Sequence, residues 1–104
     1  MRVDISRDAI DDLAEMHAYL LPLAGAVIAR RYVIDIRAFC DRFAHFPERG
    51  TRRDDLRKGL RIVGYKRKVT IALRVDADRV TILRVLGRGR DLGVAFGLGE
   101  PSDA

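Results

Sequence analysis

The run Val69-Thr70-Ile71-Ala72-Leu73-Arg74-Val75, then Asp76-Ala77-Asp78, then Arg79-Val80-Thr81-Ile82-Leu83-Arg84-Val85-Leu86 decides the fold class. In its first half Val69, Ile71, Leu73 and Val75 share one parity, while Thr70, Ala72 and Arg74 share the other. That period of two is the signature of a half-buried strand. Asp76-Ala77-Asp78 is turn chemistry and makes the run a hairpin. The second strand, Val80 to Leu86, is apolar on both parities, with Val80 and Ile82 set against Leu83 and Val85. Such a strand is expected to be covered on both faces. A helical layer supplies one cover; the C-terminal segment or a partner supplies the other.

Upstream, Leu60 to Tyr65 reads as one more strand, so the late half of the chain forms a three-stranded antiparallel meander with short connections. Residues 51–59 are polar, basic and aperiodic and are expected to form a loop. Pro47-Glu48-Arg49-Gly50 is a turn. Before it, Ala29, Tyr32, Ile36, Phe39, Phe43 and Phe46 lie on one helical stripe widened by Val33 and Cys40, which predicts a long helix to about Phe46, with Phe39 at the centre of its apolar face. Leu23-Ala24-Gly25 is a tight connection. An earlier helix follows the stripe Ala9, Leu13, Met16, Leu20, opens on Ser6 as N-cap, and is expected to stop at Pro22. Val3-Asp4-Ile5 alternates and reads as a short strand. The fold class is therefore α+β: an N-terminal strand, a two-helix antiparallel hairpin and the meander, in the order β-α-α-β-β-β. One domain is expected over residues 1–92. The glycine-punctuated segment 93–104 should be partly docked through Val94, Phe96 and Leu98 and then loose.

At 104 residues, 48% of them hydrophobic and 34% charged, the composition is that of a single globular domain. No run of about 18 apolar residues exists to span a membrane, and the N-terminus lacks the apolar core of a secretory signal. The single cysteine excludes an intramolecular disulfide framework, so a cytoplasmic location is expected. The net charge of +5 is distributed unevenly. The first 21 residues carry Arg2 and Arg7 against Asp4, Asp8, Asp11, Asp12 and Glu15, a net of −3. Residues 49–68 carry nine cations against Asp54 and Asp55, a net of +7.

Few residues suggest chemistry. His17 and His45 are the only histidines. No Cys or acidic cluster stands at ligand spacing beside them, so neither a metal nor a cofactor is expected. Cys40 lies within an apolar stripe and reads as inert. Gly87-Arg88-Gly89 lacks the spacing of a phosphate loop. The remaining constellation is basic: Tyr65-Lys66-Arg67-Lys68 at a strand junction, and Arg84, Arg88 and Arg90 on the last strand and beyond it. Converging guanidinium and ammonium groups can bind phosphates, stabilise the charge that develops in RNA cleavage, or clamp an acidic protein segment.

Several short motifs occur together and in order: Ile5-Ser6-Arg7-Asp8-Ala9 leading to Asp12-Leu13 and Tyr19; Phe46-Pro47-Glu48-Arg49-Gly50; Leu60-Arg61; the hairpin from Val75 to Leu86; and Gly87-Arg88-Gly89-Arg90-Asp91-Leu92. Over roughly residues 3–92 the chain resembles the ParE/RelE superfamily of toxins from type II toxin–antitoxin systems, such as those that stabilise plasmids. It departs from that pattern at Gly87, where many relatives carry His, and at Ala72-Leu73, which replaces an aromatic pair.

The resemblance implies a growth-arresting toxin held by a cognate antitoxin in a complex, with a heterotetramer of two chains each as one form. The long helical hairpin looks ParE-like, which implies a non-enzymatic poison of DNA gyrase; direct DNA contact by this chain is not expected. The target surface so implied is Tyr65, Lys66, Arg67, Arg84, Arg88 and Arg90. The antitoxin surface is Leu13, Met16, Leu20, Leu73, Leu83 and Val85. Two alternatives stand beside this reading. One is a RelE-like, ribosome-dependent mRNA endonuclease using Lys66, Arg67, Arg84 and Arg88, against which the lack of His or Tyr beyond Tyr65 argues. The other is a degenerate, non-toxic binding module, suggested by Gly87.

Overall fold

The hairpin pairs from Val75 opposite Val80 to Val69 opposite Gly87, with one shift of register on the way. A computed structural model of the chain describes residues 1–87 and 89–96. Its elements are β1 (Arg2–Ile5), α1 (Arg7–Ala24), α2 (Ala26–Asp41), a 3-10 turn (Arg42–Ala44), β2 (Thr51–Arg52), β3 (Leu60–Tyr65), β4 (Val69–Val75), β5 (Arg79–Gly87) and α3 (Leu92–Ala95). The expected meander is the middle of a larger sheet ordered β1-β5-β4-β3-β2. β1 lies parallel to β5, with Val3 opposite Val80 and Ile5 opposite Ile82. A parallel neighbour requires a long crossover, which the two helices provide.

One irregularity explains the unusual apolar pattern of β5. Its register passes from Leu73–Ile82 to Ala72–Arg84, leaving Leu83 as an extra residue. This bulge shifts the phase of the strand. Val80, Ile82 and Val85 therefore all point into one core with Ile71, Leu73, Leu13, Ile36 and Phe43. The opposite face is covered too: Leu60, Ala72 and Leu86 are at most 1% exposed. Arg84 Nη1 donates to the Ala95 carbonyl at 3.3 Å, and the Arg57 guanidinium lies 4.9 Å from the Phe96 ring centroid. The C-terminal segment is thus brought to this side of the sheet. Leu98 and residues 97–104 fall outside the described residues.

Ser6 caps α1 as its sequence position predicts: its Oγ accepts from Ala9 N–H at 3.0 Å. Pro22 does not end α1, which continues to Ala24. The proline costs one amide donor in an exposed last turn, and Gly25 closes the helix by donating its N–H to Leu21 C=O at 3.0 Å. α2 ends at Asp41 rather than near Phe46, and the 3-10 turn takes over. Phe43, not Phe39, is the fully buried ring of this stretch; truncating it to Ala would cost roughly 3–5 kcal/mol. Phe39 lies at the margin of the core, 5.5 Å from Phe43 and 4.9 Å from Tyr65. The loop expected over 51–59 contains β2, whose Thr51 and Arg52 face Ile62 and Arg61. Gly50 permits that pairing. Its φ is +86°, and an added Cβ would fall onto the Ile62 carbonyl and lie 2.6 Å from Val63 Cγ2. No described helix is long and apolar enough to cross a membrane.

Candidate functional site

β1 is shorter than β5, so the edge of β5 beyond Ile82 has no strand beside it. Side chains from α1 occupy that edge instead. Ser6 N–H donates to Ile82 C=O at 2.9 Å, and Ser6 Oγ donates to Leu83 C=O at 2.9 Å. Six residues on, nearly two turns of helix, Asp12, 4% exposed, accepts Val85 N–H at 2.9 Å. The same carboxylate receives Arg84 through both oxygens, Nε–H to Oδ2 and Nη2–H to Oδ1, each at 2.8 Å. The Arg84 guanidinium is held above its ordinary pKa, chiefly by this hydrogen bond from its side chain to Asp12 and against the opposing pull of burial. A charged pair this far out of water persists only when its donors and acceptors are matched, and here Val85 N–H and Ala95 C=O complete the set.

Past this edge lies an open groove of about 740 Å3. α1 supplies one wall through Asp12, Glu15, Met16, Tyr19 and Leu20, and α2 adds Tyr32. Lys68, Val85, Gly87 and Arg90 line the sheet side. The groove is acidic along α1, basic across from it and apolar between. Glu15 and Arg90 reach across and meet at 3.4 Å. Gly87 leaves the sheet side bare: a Cβ there would lie 3.7 Å from the Met16 methyl group and near nothing else.

Of the residues assigned to a partner from sequence, Met16 and Leu20 line this groove. Leu13 and Leu73 are 7% and 0% exposed and belong to the core, because the stripe that makes α1 amphipathic is the stripe that packs on the sheet. Val85 touches the groove but is 1% exposed, and Leu83 is half-buried at the bulge. Lys68, one of the basic constellation, joins Met16 and Leu20, and Asp12, Glu15, Tyr19 and Tyr32 complete a groove that the sequence does not announce. Asp12 carried a signal: it shares the helical stripe of Ala9, Leu13 and Met16, and an acid on a buried stripe requires a partner.

Of the basic residues, Arg84 is committed to Asp12 and Arg90 to Glu15. Arg88 falls outside the described residues. Lys66, Arg67 and Lys68 form the exposed β3–β4 turn, in which Lys68 N–H donates to Tyr65 C=O at 3.1 Å. Lys66 and Arg67 both adopt left-handed backbone, with φ of 51° and 60°. Lys66 Nζ lies 5.4 Å from the Tyr65 ring, and Arg42 lies 5.8 Å from the Phe39 ring.

Cys40 is buried, and desolvation pushes its thiol up to about 12, with the nearby Asp41 charge adding to the effect. His45 is exposed and His17 half-buried. Among the described residues no group of three His, Cys, Asp or Glu could hold a metal ion.

A family model described as the ParE toxin of the type II toxin–antitoxin system, parDE, matches residues 3–92. No curated protein matches in sequence. Among solved structures the chain is similar to the chromosomal ParDE TA system from P. aeruginosa, with a TM-score of 0.74 at 24% identity, over 84% of this chain and 95% of that one. That likeness extends to the fold: N-terminal strand, helical pair and mixed sheet.

Proposed function

Because the chain belongs to the ParE toxin family of type II toxin–antitoxin systems, we propose that it acts in the cytoplasm by binding and poisoning DNA gyrase, and that a cognate antitoxin neutralises it. The observation that carries binding over cleavage is the Asp12–Arg84 pair. An arginine that neutralises charge on a cleaving phosphate must be free to reach it, whereas both outer nitrogens of this one are used inside the protein. Gly87 adds no imidazole to the groove.

The antitoxin reading assigns the groove between α1 and the β5 edge to an antitoxin segment. Apolar side chains of that segment lie on Met16 and Leu20, and its charges exchange with the Glu15–Arg90 pair. Tyr65, Lys66, Arg67 and Arg90 belong to the surface offered to the target, with Arg88 beside them in sequence.

The test is induction of the chain without its antitoxin, scored together for gyrase-linked DNA breaks and for cleavage of ribosome-bound mRNA. DNA breaks with intact mRNA are expected. Cleaved mRNA with intact DNA replaces this reading with the endonuclease, and normal growth replaces it with a non-toxic binding module. Met16→Glu and Leu20→Glu should leave toxicity in place while abolishing rescue by the antitoxin encoded beside the chain.

A further inference from the structure

Among the described residues six have left-handed backbone. Four are glycines: Gly25, Gly50, Gly59 and Gly89. The other two are Lys66 and Arg67, adjacent at the tip of one turn. A turn with two successive positive φ angles strongly prefers Asn-Gly or Asp-Gly, because a Cβ and a long side chain strain it. This chain uses glycine wherever else it needs the conformation, yet holds two cations where glycine would fit best. Such strain persists at sites where the side chains themselves are required. Lys68 adds a third cation. All three are exposed, and none is within salt-bridge distance of a carboxylate among the described residues, unlike Arg52, Arg53, Arg61, Arg74 and Arg79 nearby.

The surroundings indicate what these charges suit. A protein-binding hot spot needs a buried aromatic or aliphatic anchor beside its charges, and single-stranded nucleic acid needs free aromatic faces on which bases stack. The turn itself offers neither; the exposed Tyr19 stands on α1, the other wall of the groove that Lys68 lines. Tyr65 is half-buried, with Phe39 against it at 4.9 Å and Lys66 over it, and Phe39 has Arg42 near its own ring. Exposed cations without a carboxylate partner, on a turn with no anchor of its own, match a row of phosphates. We propose that Lys66, Arg67 and Lys68 grip the phosphodiester backbone of duplex DNA, independently of base sequence. This reverses the expectation, drawn from sequence, that the chain makes no direct DNA contact. It goes beyond the gyrase reading, which places Lys66 and Arg67 on the target surface and needs its anchor from other residues, since here the chain alone binds the duplex.

The experiment is fluorescence anisotropy of a labelled DNA duplex titrated with the full chain from about 50 to 200 mM salt. Three phosphate contacts give a slope of log K against log salt near −2.7, at about −0.9 per contact. Lys66→Gln/Arg67→Gln/Lys68→Gln should remove most of that slope and weaken binding at about 50 mM by roughly tenfold or more per cation. Arg30→Gln/Arg37→Gln/Arg49→Gln removes the same charge from exposed sites elsewhere and should shift the slope by less than about 1. Lys66→Asn/Arg67→Gly relaxes the turn, so it should raise the melting temperature while still losing affinity; this separates folding from binding. No duplex binding at the lowest salt, equal losses in the two triple variants, wild-type affinity in the relaxed turn, or tighter binding to the single strand would each overturn the proposal.

Discussion

Asp12 and Arg84, 72 positions apart in sequence, meet through two parallel hydrogen bonds of 2.8 Å, and the same carboxylate takes the free Val85 amide of the sheet edge. Removing the acid strands a mostly buried guanidinium and an edge N–H together. Asp12→Ala should cost about 3 kcal/mol, which lowers the melting temperature by roughly 10–20 °C in a domain of this size. The double variant Asp12→Ala/Arg84→Ala should be less damaging than the sum of the two singles, with a coupling above about 1 kcal/mol in a thermal or urea double-mutant cycle. An additive result would mean the pair does not act as a unit. A loss of toxicity in an Arg84 variant is therefore to be read beside its melting curve.

Gly50 should tolerate no side chain. Its Cβ would meet a strand carbonyl, which cannot swing away, and its φ is already left-handed. Gly50→Ala should cost more than about 2 kcal/mol. Gly25→Ala, with φ +91° and ψ 165° but nothing within 4 Å, should cost less, about 1–2 kcal/mol of backbone strain alone. Equal urea midpoints for the two variants would show that the crossing over Ile62 carries no steric constraint.

Cys40 should be unreactive while the protein is folded. With its thiol near 12 instead of the ordinary 9.0, the thiolate fraction at pH 8 falls about a thousandfold. Alkylation by iodoacetamide, followed by mass spectrometry, should be at least about a hundredfold slower in buffer than in denaturant. Comparable rates would place the sulfur in contact with solvent.

The segment between β2 and β3 should loosen in acid. Asp54 is held below its ordinary 3.8 first by accepting Gly59 N–H, at 2.8 Å, and then by Arg52. A carboxylate with a lowered folded pKa contributes fully above the unfolded value and loses that contribution as pH falls through the folded one. The Gly59 amide resonance should thus be constant near neutrality and move only below about pH 4, and Asp54→Asn should abolish the movement. A transition near neutral pH would assign the segment to another group.

Much of this arrangement is legible in the sequence where the determinant is local. Ser6 reads as an N-cap from its neighbours alone, and the alternation of Val69 to Val75 announces a strand with one buried face. What escapes depends on residues remote in sequence. The apolar residues of β5 on both parities suggest two covered faces, yet nothing nearby reveals that the Leu83 bulge returns Val85 to the same core as Ile82. Pro22 signals a stop, but its cost depends on solvent at a helix end, and that is tertiary information. Leu13 and Leu73 read as partner-facing from sequence because a stripe of apolar residues does not say which body it packs against. Arg84 resembles its neighbours in the string of arginines, and only the fold distinguishes a guanidinium held by Asp12 out of water from Arg90, paired with Glu15 at the surface.

Position 87 has a further meaning. The resemblance expects an imidazole there, and the backbone is ready for one: its φ is not left-handed, and the nearest obstacle to a side chain is the flexible tip of Met16. Lys68 and Arg90 already line the same groove. Gly87→His is therefore a one-residue graft: it would furnish the groove with an imidazole beside Lys68 and Arg90 without asking the backbone to move.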